Sequence, residues 1–202
     1  MASLFEIAVT FASIMQPLPN LLIICGFILM GMAFTFAVFR TMKGSGGIWG
    51  KPSVHPVVFY AGKLSMFLAW SMMLLKAIIP SLPEAAPSLL HGWPSVVLFS
   101  TGLLIIAASF VNLGTALKYG LPEGETRLQT GGLYRYSRHP LYTGVFITMV
   151  ASALFYVHPL NILSALVCMG AHIPMIRSEE RFLAARFGEE WNGYKRQVRM
   201  FF

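Results

Sequence analysis

Apolar residues along this chain run in blocks, not in the alternation of a strand or the narrow stripe of a surface helix. Residues 20–40 (NLLIICGFILMGMAFTFAVFR), 57–79 and 95–117 each supply about the 20 residues a helix needs to cross roughly 30 Å of hydrocarbon. After a polar stretch at 118–139 come two more blocks, 140–157 and 160–176, separated only by His158-Pro159. So short a break predicts that these two form an antiparallel helical hairpin. The fold class is therefore all-α: a polytopic membrane bundle of about five transmembrane helices. Residues 1–17 are too few for a span before Gln16-Pro17, and are read as an interfacial helix or a bent extension of the first span. The chain divides into N-terminal transmembrane helices (1–117) and a core (118–202) that holds most of the polar chemistry.

The pattern changes after residue 177. Leu183, Phe187, Trp191, Tyr194 and Val198 follow one another at spacings of four, four, three and four, which makes one apolar stripe on a helix. This predicts a cytoplasmic amphipathic helix over 178–199, lying on the anionic leaflet or against the bundle. Ser178 is a candidate N-cap for it, with Glu179 and Glu180 in a first turn that favours acids.

Composition sharpens the membrane reading. Hydrophobic residues make up 56% of the 202 residues and charged ones 11%, with mean hydropathy +0.66, which excludes an ordinary soluble domain. Asp is absent and there are eight acidic residues, so the net charge of +7 comes from 15 Lys and Arg. Their distribution argues against a nucleic-acid partner and for the lipid bilayer. Thirteen of them fall in the 40–56 loop, the 118–139 loop and the tail from 177, whereas 80–94 and 158–159 carry none. Short cytoplasmic loops collect basic residues, so the N-terminus is expected outside and the C-terminus and active site in the cytoplasm. The exceptions, Lys63 and Lys76, sit near opposite ends of the second span, where their stems can snorkel to an interface. Cys25 and Cys168 lie in apolar runs without metal-ligand spacing and read as packing residues; no metal site is expected. The sequence sets no oligomeric state.

Few segments carry candidate chemistry. GSGGIWGK (44–51) fails the phosphate-loop spacing and reads as an interhelical loop. In GLYRYSRHPLYTG (132–144), His139-Pro140 opens the fourth span, since proline suits the first helical turn. The segment reads either as a helix start with a membrane-interface aromatic belt from Tyr134, Tyr136 and Tyr142 or as an anion site at a helix N-terminus flanked by Arg135, Arg138 and His139. His172 is an intramembrane ionisable group and a candidate on that ground, with a neutral, hydrogen-bonded histidine as the plainer reading. His55, His91 and His158 are assigned no role. The hairpin returns Glu179 and Glu180 to the membrane face where His139 begins. Carboxylates, imidazole, tyrosines and arginines should therefore converge on one pocket, with 118–138 as a wall.

ETRLQTGGLYRYSRHPLYTG (125–144), followed after the hairpin by EERFLAARFGEEWNGYKRQVRMF (179–201), resembles the isoprenylcysteine carboxyl methyltransferase family and its relatives, the phospholipid N-methyltransferases. The shared form is L-x-x-x-G-x-Y-x-x-x-R-H-P-x-Y-x-G, then E-E-x-x-L-x-x-x-F-G-x-x-Y/W-x-x-Y and a late Arg. The resemblance implies a methyltransferase core over 118–202 using S-adenosyl-L-methionine. Its cofactor contacts would be Thr126, Arg127, Leu128, Gln129, Tyr134, His139, Pro140, Leu141, Tyr142 and Glu179. Family members tend to carry an arginine four residues before that glutamate; here Met175 stands there and the nearest arginine is Arg177. The implied reaction is methyl transfer to a lipophilic or membrane-delivered acceptor: an isoprenylcysteine-like carboxylate, an aminophospholipid or a small thiol. A carboxylate needs only an orienting cation, for which Arg177 and Arg199 are candidates; an amine or thiol needs a base, for which His139 and Glu180 are. Two competing readings are an NADPH-dependent membrane reductase of the sterol C14-reductase type and a non-enzymatic membrane scaffold.

Overall fold

A computed structural model describes residues 17–45, 50–85, 92–122 and 127–202. The reading of residues 1–16 as an interfacial or bent segment lies outside them, as do Thr126 and part of the 44–51 loop. Five helices are present among the described residues: α1 (Leu18–Ser45), α2 (Pro56–Ile78), α3 (Gly92–Leu113), α4 (Pro140–Phe155) and α5 (Pro159–Gln197), with single 3-10 turns at Gly114–Ala116 and Gly132–Arg135. Four of them, all but α4, are long and apolar enough to cross a membrane, and the chain is an integral membrane protein. At 16 residues and 1.5 Å rise per residue, α4 is about 24 Å long, short of the roughly 30 Å hydrocarbon core. It is also sheltered: Thr148, Met149, Ala151 and Ser152 are fully buried.

Three helices begin at a His-Pro pair. Pro56, Pro140 and Pro159 each occupy the first turn, where no backbone N–H is missed. His55 and His158 cap their helices, each Nδ1 accepting the backbone N–H two residues on, from Val57 at 3.4 Å and Leu160 at 3.3 Å. Histidines without a function in the sequence thus have a structural one. His139 is the exception, since its side chain makes no cap and its ring is turned elsewhere.

The tightest crossing is α3 on α4. A Cβ on Gly102 would stand 2.8 Å from the Gly144 carbonyl oxygen, and one on Gly144 would stand 2.9 Å from the Gly102 oxygen. Two glycines facing each other let the backbones touch, as small residues do between membrane helices. Buried polar groups along α4 pair internally: Ser152 Oγ donates to Ala69 O at 2.9 Å and Asn161 Nδ2 to Ser152 O at 2.8 Å, tying α4 to α2 and α5. At the far end of α2, Lys76 does not snorkel. Its side chain is 5% exposed. The ammonium donates to Pro80 O at 2.7 Å and Leu82 O at 2.8 Å, and pairs with Glu84 at 3.4 Å. The carbonyls of the returning chain satisfy it more cheaply than a path to water.

The tail departs from expectation. Ser178 caps no new helix, because α5 runs through it; its hydroxyl donates to Ser53 O. Hydropathy falls at Arg177, but 175–187 contain neither Pro nor Gly, so nothing stops the backbone. The break comes at Gly188, with φ 51° and ψ −118°, a conformation that L-residues avoid. The apolar stripe beyond it turns onto the bundle. Trp191 is 1% exposed, and Tyr194 OH donates to Tyr134 O at 2.6 Å. The polar segments consequently gather at one end of the bundle, stitched by a bridge of Lys51 to Leu121 and another of Ser137 to Arg199.

Candidate functional site

At that end, the segment from the 3-10 turn into α4 is held from two sides. Leu133 N–H donates to Asn112 Oδ1 of α3 at 2.8 Å. The N–H groups of Arg138 and His139 donate to Arg199 O at 2.9 Å and Met200 O at 3.2 Å. Arg138 locks this arrangement. Its Nε and Nη2 reach Glu180 Oε1 at 2.8 and 2.7 Å, its Nη1 donates to Val198 O at 2.6 Å, and its guanidinium lies 5.9 Å from the Trp191 ring centre. His139 Nε2 stands 3.4 Å from the same Glu180 oxygen and Lys195 Nζ 3.6 Å from the other.

Adjacent glutamates do different work. Successive residues on a helix point about 100° apart, so Glu180 faces this clamp while Glu179 accepts a hydrogen bond from Tyr142 OH and faces open space. Both lie past Ile176, where the apolar part of α5 ends. Burial would raise the Glu180 carboxyl, but hydrogen bonds and charge from His139 and Arg138 hold it down to about 2. Burial pushes the Glu179 carboxyl up, with His139, the Tyr142 hydrogen bond and Lys63 opposing. Burial also pushes up the Tyr134 hydroxyl, keeping it a neutral donor.

Two cavities of different character meet beside Glu179. The smaller, about 170 Å³, is walled by the extended segment Arg127–Gln129, by Tyr134 and His139, and by Trp191 and Tyr194 from beyond the Gly188 break. The larger, about 360 Å³, is apolar. Its walls come from α1 (Phe27, Phe34), α2 (Phe59, Trp70), α3 (Ile106, Phe110) and α4 (Val145), with Lys63 and His172 among its few polar groups. Leu117, Lys118, Gly120, Leu141, Tyr142 and Glu179 belong to both.

Of the residues singled out in the sequence, Arg127, Leu128, Gln129, Tyr134, His139, Leu141, Tyr142 and Glu179 are brought together around the smaller cavity. Pro140 is buried as the first residue of α4, behind that wall. Thr126 lies outside the described residues. Arg177 and Arg199 are exposed and line neither cavity, and Glu180 is turned into the clamp. His172 lines the larger cavity. Sequence reasoning missed Trp191 and Tyr194 as cavity walls, although the apolar stripe carried the signal, and it missed the inward turn of Lys63. Only the presence of a lysine within an apolar span hinted at that.

Comparison with known proteins gives the chain a family. The family model of phospholipid methyltransferases matches residues 90–190, half of the chain. A protein-S-isoprenylcysteine O-methyltransferase of Dictyostelium discoideum is 26% identical over 111 residues, 52% of this chain and 46% of that protein. A probable protein-S-isoprenylcysteine O-methyltransferase of Oryza sativa subsp. indica is 28% identical over 137 residues, 65% of this chain and 72% of that one. The chain thus spans less than half the length of the first relative. The family match takes in most of the smaller cavity's walls, but the α1 and α2 walls of the larger one precede it.

Proposed function

This chain belongs to the phospholipid methyltransferase family, and on that premise we propose that it is an integral membrane methyltransferase. It takes its donor, S-adenosylmethionine, in the smaller cavity and its lipophilic acceptor in the larger one. The observation that carries this reading is the shared wall. A cavity edged by Arg127, Gln129, Arg138 and His139 and a more apolar one open onto the same side chains, Tyr142 and Glu179, as a reaction between a water-soluble donor and a membrane-dissolved acceptor requires.

The residues present fit the donor's chemistry. Arg127 offers a cation to its α-carboxylate, Glu179 offers acceptor oxygens to ribose hydroxyls, and Trp191, Tyr134 and Leu128 offer flat and aliphatic surface to a purine. When bound, it supplies a methyl group already activated on a sulfonium. The chain's own contribution is then orientation and exclusion of water. Tyr142 holds Glu179 in place, and Trp191 and Tyr194, pinned by Arg138 and Tyr134 O, close the side that faces water. Glu180, ionised and paired, serves the clamp. His139, in the wall of the smaller cavity, and Lys63, in the wall of the larger, flank the junction and could handle a proton. The basic residues of the 118–139 segment and of the tail support a cytoplasmic site, with donor entering from water and acceptor from the bilayer.

The matched proteins carry methyltransferase names, which favours this over the reductase and scaffold readings. Calorimetry on the detergent-purified chain tests it: S-adenosylmethionine should bind and NADPH should not, and absence of donor affinity defeats the proposal. Transfer of tritiated methyl to prenylcysteine, aminophospholipid and thiol acceptors tests the reaction itself.

A further inference from the structure

Lys63 is the feature the donor site leaves unused. It sits two turns into α2, ahead of the family-matching region, and its ammonium lines the larger cavity. Three ring faces surround Nζ: Tyr119 at 4.9 Å, Phe59 at 5.6 Å and Tyr142 at 5.9 Å from their centroids. His172 completes the set. Its Nδ1 lies 2.7 Å from Cys168 O, and a carbonyl can only accept, so that nitrogen carries the proton. Nε2 therefore presents a lone pair, and Lys63 Nζ stands 3.3 Å from it. The ammonium is thus built in, seated in an aromatic cage and oriented by an imidazole, over the ring of Tyr142, which also lines the smaller cavity.

Such a cage is what an amine head group would use, and here the chain's own cation occupies it. We propose, on the basis of the methyltransferase reading above, that Lys63 selects the acceptor: it receives an amphiphile whose reacting end is a carboxylate and turns away one whose reacting end is an ammonium. His172 is the positioning residue for Lys63. A carboxylate paired with Lys63 keeps a free oxygen lone pair directed along the shared wall. That oxygen forms the new C–O bond to the methyl carbon while the C–S bond breaks, its electron pair passing to the sulfonium sulfur. The products are a methyl ester and a neutral thioether, and no proton has to be removed. Charge balance inside the cavity favours the same acceptor, since a second ammonium beside Lys63 would be repelled in a low-dielectric surrounding, whereas an anion replaces water lost from Lys63. The α1 and α2 walls, Phe27, Phe34, Phe67 and Trp70, receive the tail.

The test compares decanoic acid, decylamine and decanethiol as acceptors for the detergent-purified full chain with tritiated-methyl S-adenosylmethionine. Wild type should methylate the acid in preference to the amine. K63M should raise the KM for the acid at least about tenfold while the donor Kd from calorimetry is unchanged, and K63R should restore the acid KM. A merely structural lysine would not produce that KM shift with rescue by arginine. Preference for the amine or thiol in wild type, or an unchanged acid KM in K63M, overturns the selection by Lys63 and leaves methyl transfer standing. The wild-type comparison keeps the proposal testable if K63M does not fold. Transfer to none of the three overturns the methyltransferase reading and this inference together.

Discussion

Glu180→Gln separates a clamp from a catalytic base. In the structure the carboxylate receives a hydrogen bond from Arg138 Nε at 2.8 Å and a second charged contact from Nη2 at 2.7 Å, and the two side chains are 8% and 11% exposed, so this is not a weak surface pair. A hydrogen bond to a charged group is worth about 1.5–3 kcal/mol and a neutral one about 0.5–1.5. Replacing the carboxylate with an amide should therefore cost about 1–1.5 kcal/mol for each of the two Arg138 contacts, or about 2–3 kcal/mol in all. Lys195, half exposed at 3.6 Å, adds little. For a chain of this length that is a fall in Tm of roughly 4–12 °C. Because Arg138 also holds Val198 O and lies over Trp191, the loosened tail should weaken donor binding about tenfold while kcat at saturating donor stays within about threefold. The pH dependence follows from the same pair. Glu180 is held down to about 2 from an ordinary 4.5, so its stabilisation is present in full above 4.5 and is lost as pH falls from there toward 2. Wild type should lose Tm across that window through this group, and Glu180→Gln should lack that component. Differential scanning fluorimetry in detergent, donor calorimetry and single-turnover kinetics read the three quantities. Unchanged Tm and donor affinity with kcat down a hundredfold would refute the clamp and restore Glu180 as a base.

Glu179→Ala should leave the chain folded, as judged by an unchanged Tm within about 2 °C, and reduce donor affinity by more than about thirtyfold, roughly 2 kcal/mol; calorimetry reads it, and normal binding removes Glu179 from the site. Gly102→Ala should cost about 2 kcal/mol or more, because the new Cβ meets a backbone oxygen of Gly144 at 2.8 Å and backbone cannot step aside; a Tm equal to wild type would mean the α3–α4 crossing is looser than drawn. Gly188→Ala meets no neighbour but cannot hold φ 51° and ψ −118° without strain of about 1–3 kcal/mol. The tail should swing off Arg138 and be cut by trypsin faster than in wild type, and equal cutting rates would contradict a glycine-dependent turn.

Much of this protein is legible residue by residue. Transfer from water to hydrocarbon is a local property, nearly additive along the chain, so blocks such as 20–40 and 95–117 announce helices without reference to anything distant. The His-Pro pairs at 55, 139 and 158 mark helix starts for an equally local reason, the fixed φ and absent N–H of proline. The walls of the smaller cavity were readable too, because Arg127 to Tyr142 lie within one short segment and Glu179 follows one hairpin later. What could not be read is direction and adjacency. Whether Glu179 or Glu180 faces the cavity depends on the rotation of α5, which is set by its unbroken run to Gly188 and by its packing on α2. Lys63, assigned to an interface on its own, turns inward because Tyr119, Tyr142 and His172, more than 50 residues away in sequence, meet around it. A lysine's choice between water and an aromatic cage is a difference between two environments. The chain specifies one of them locally, and only the packed helices create the other.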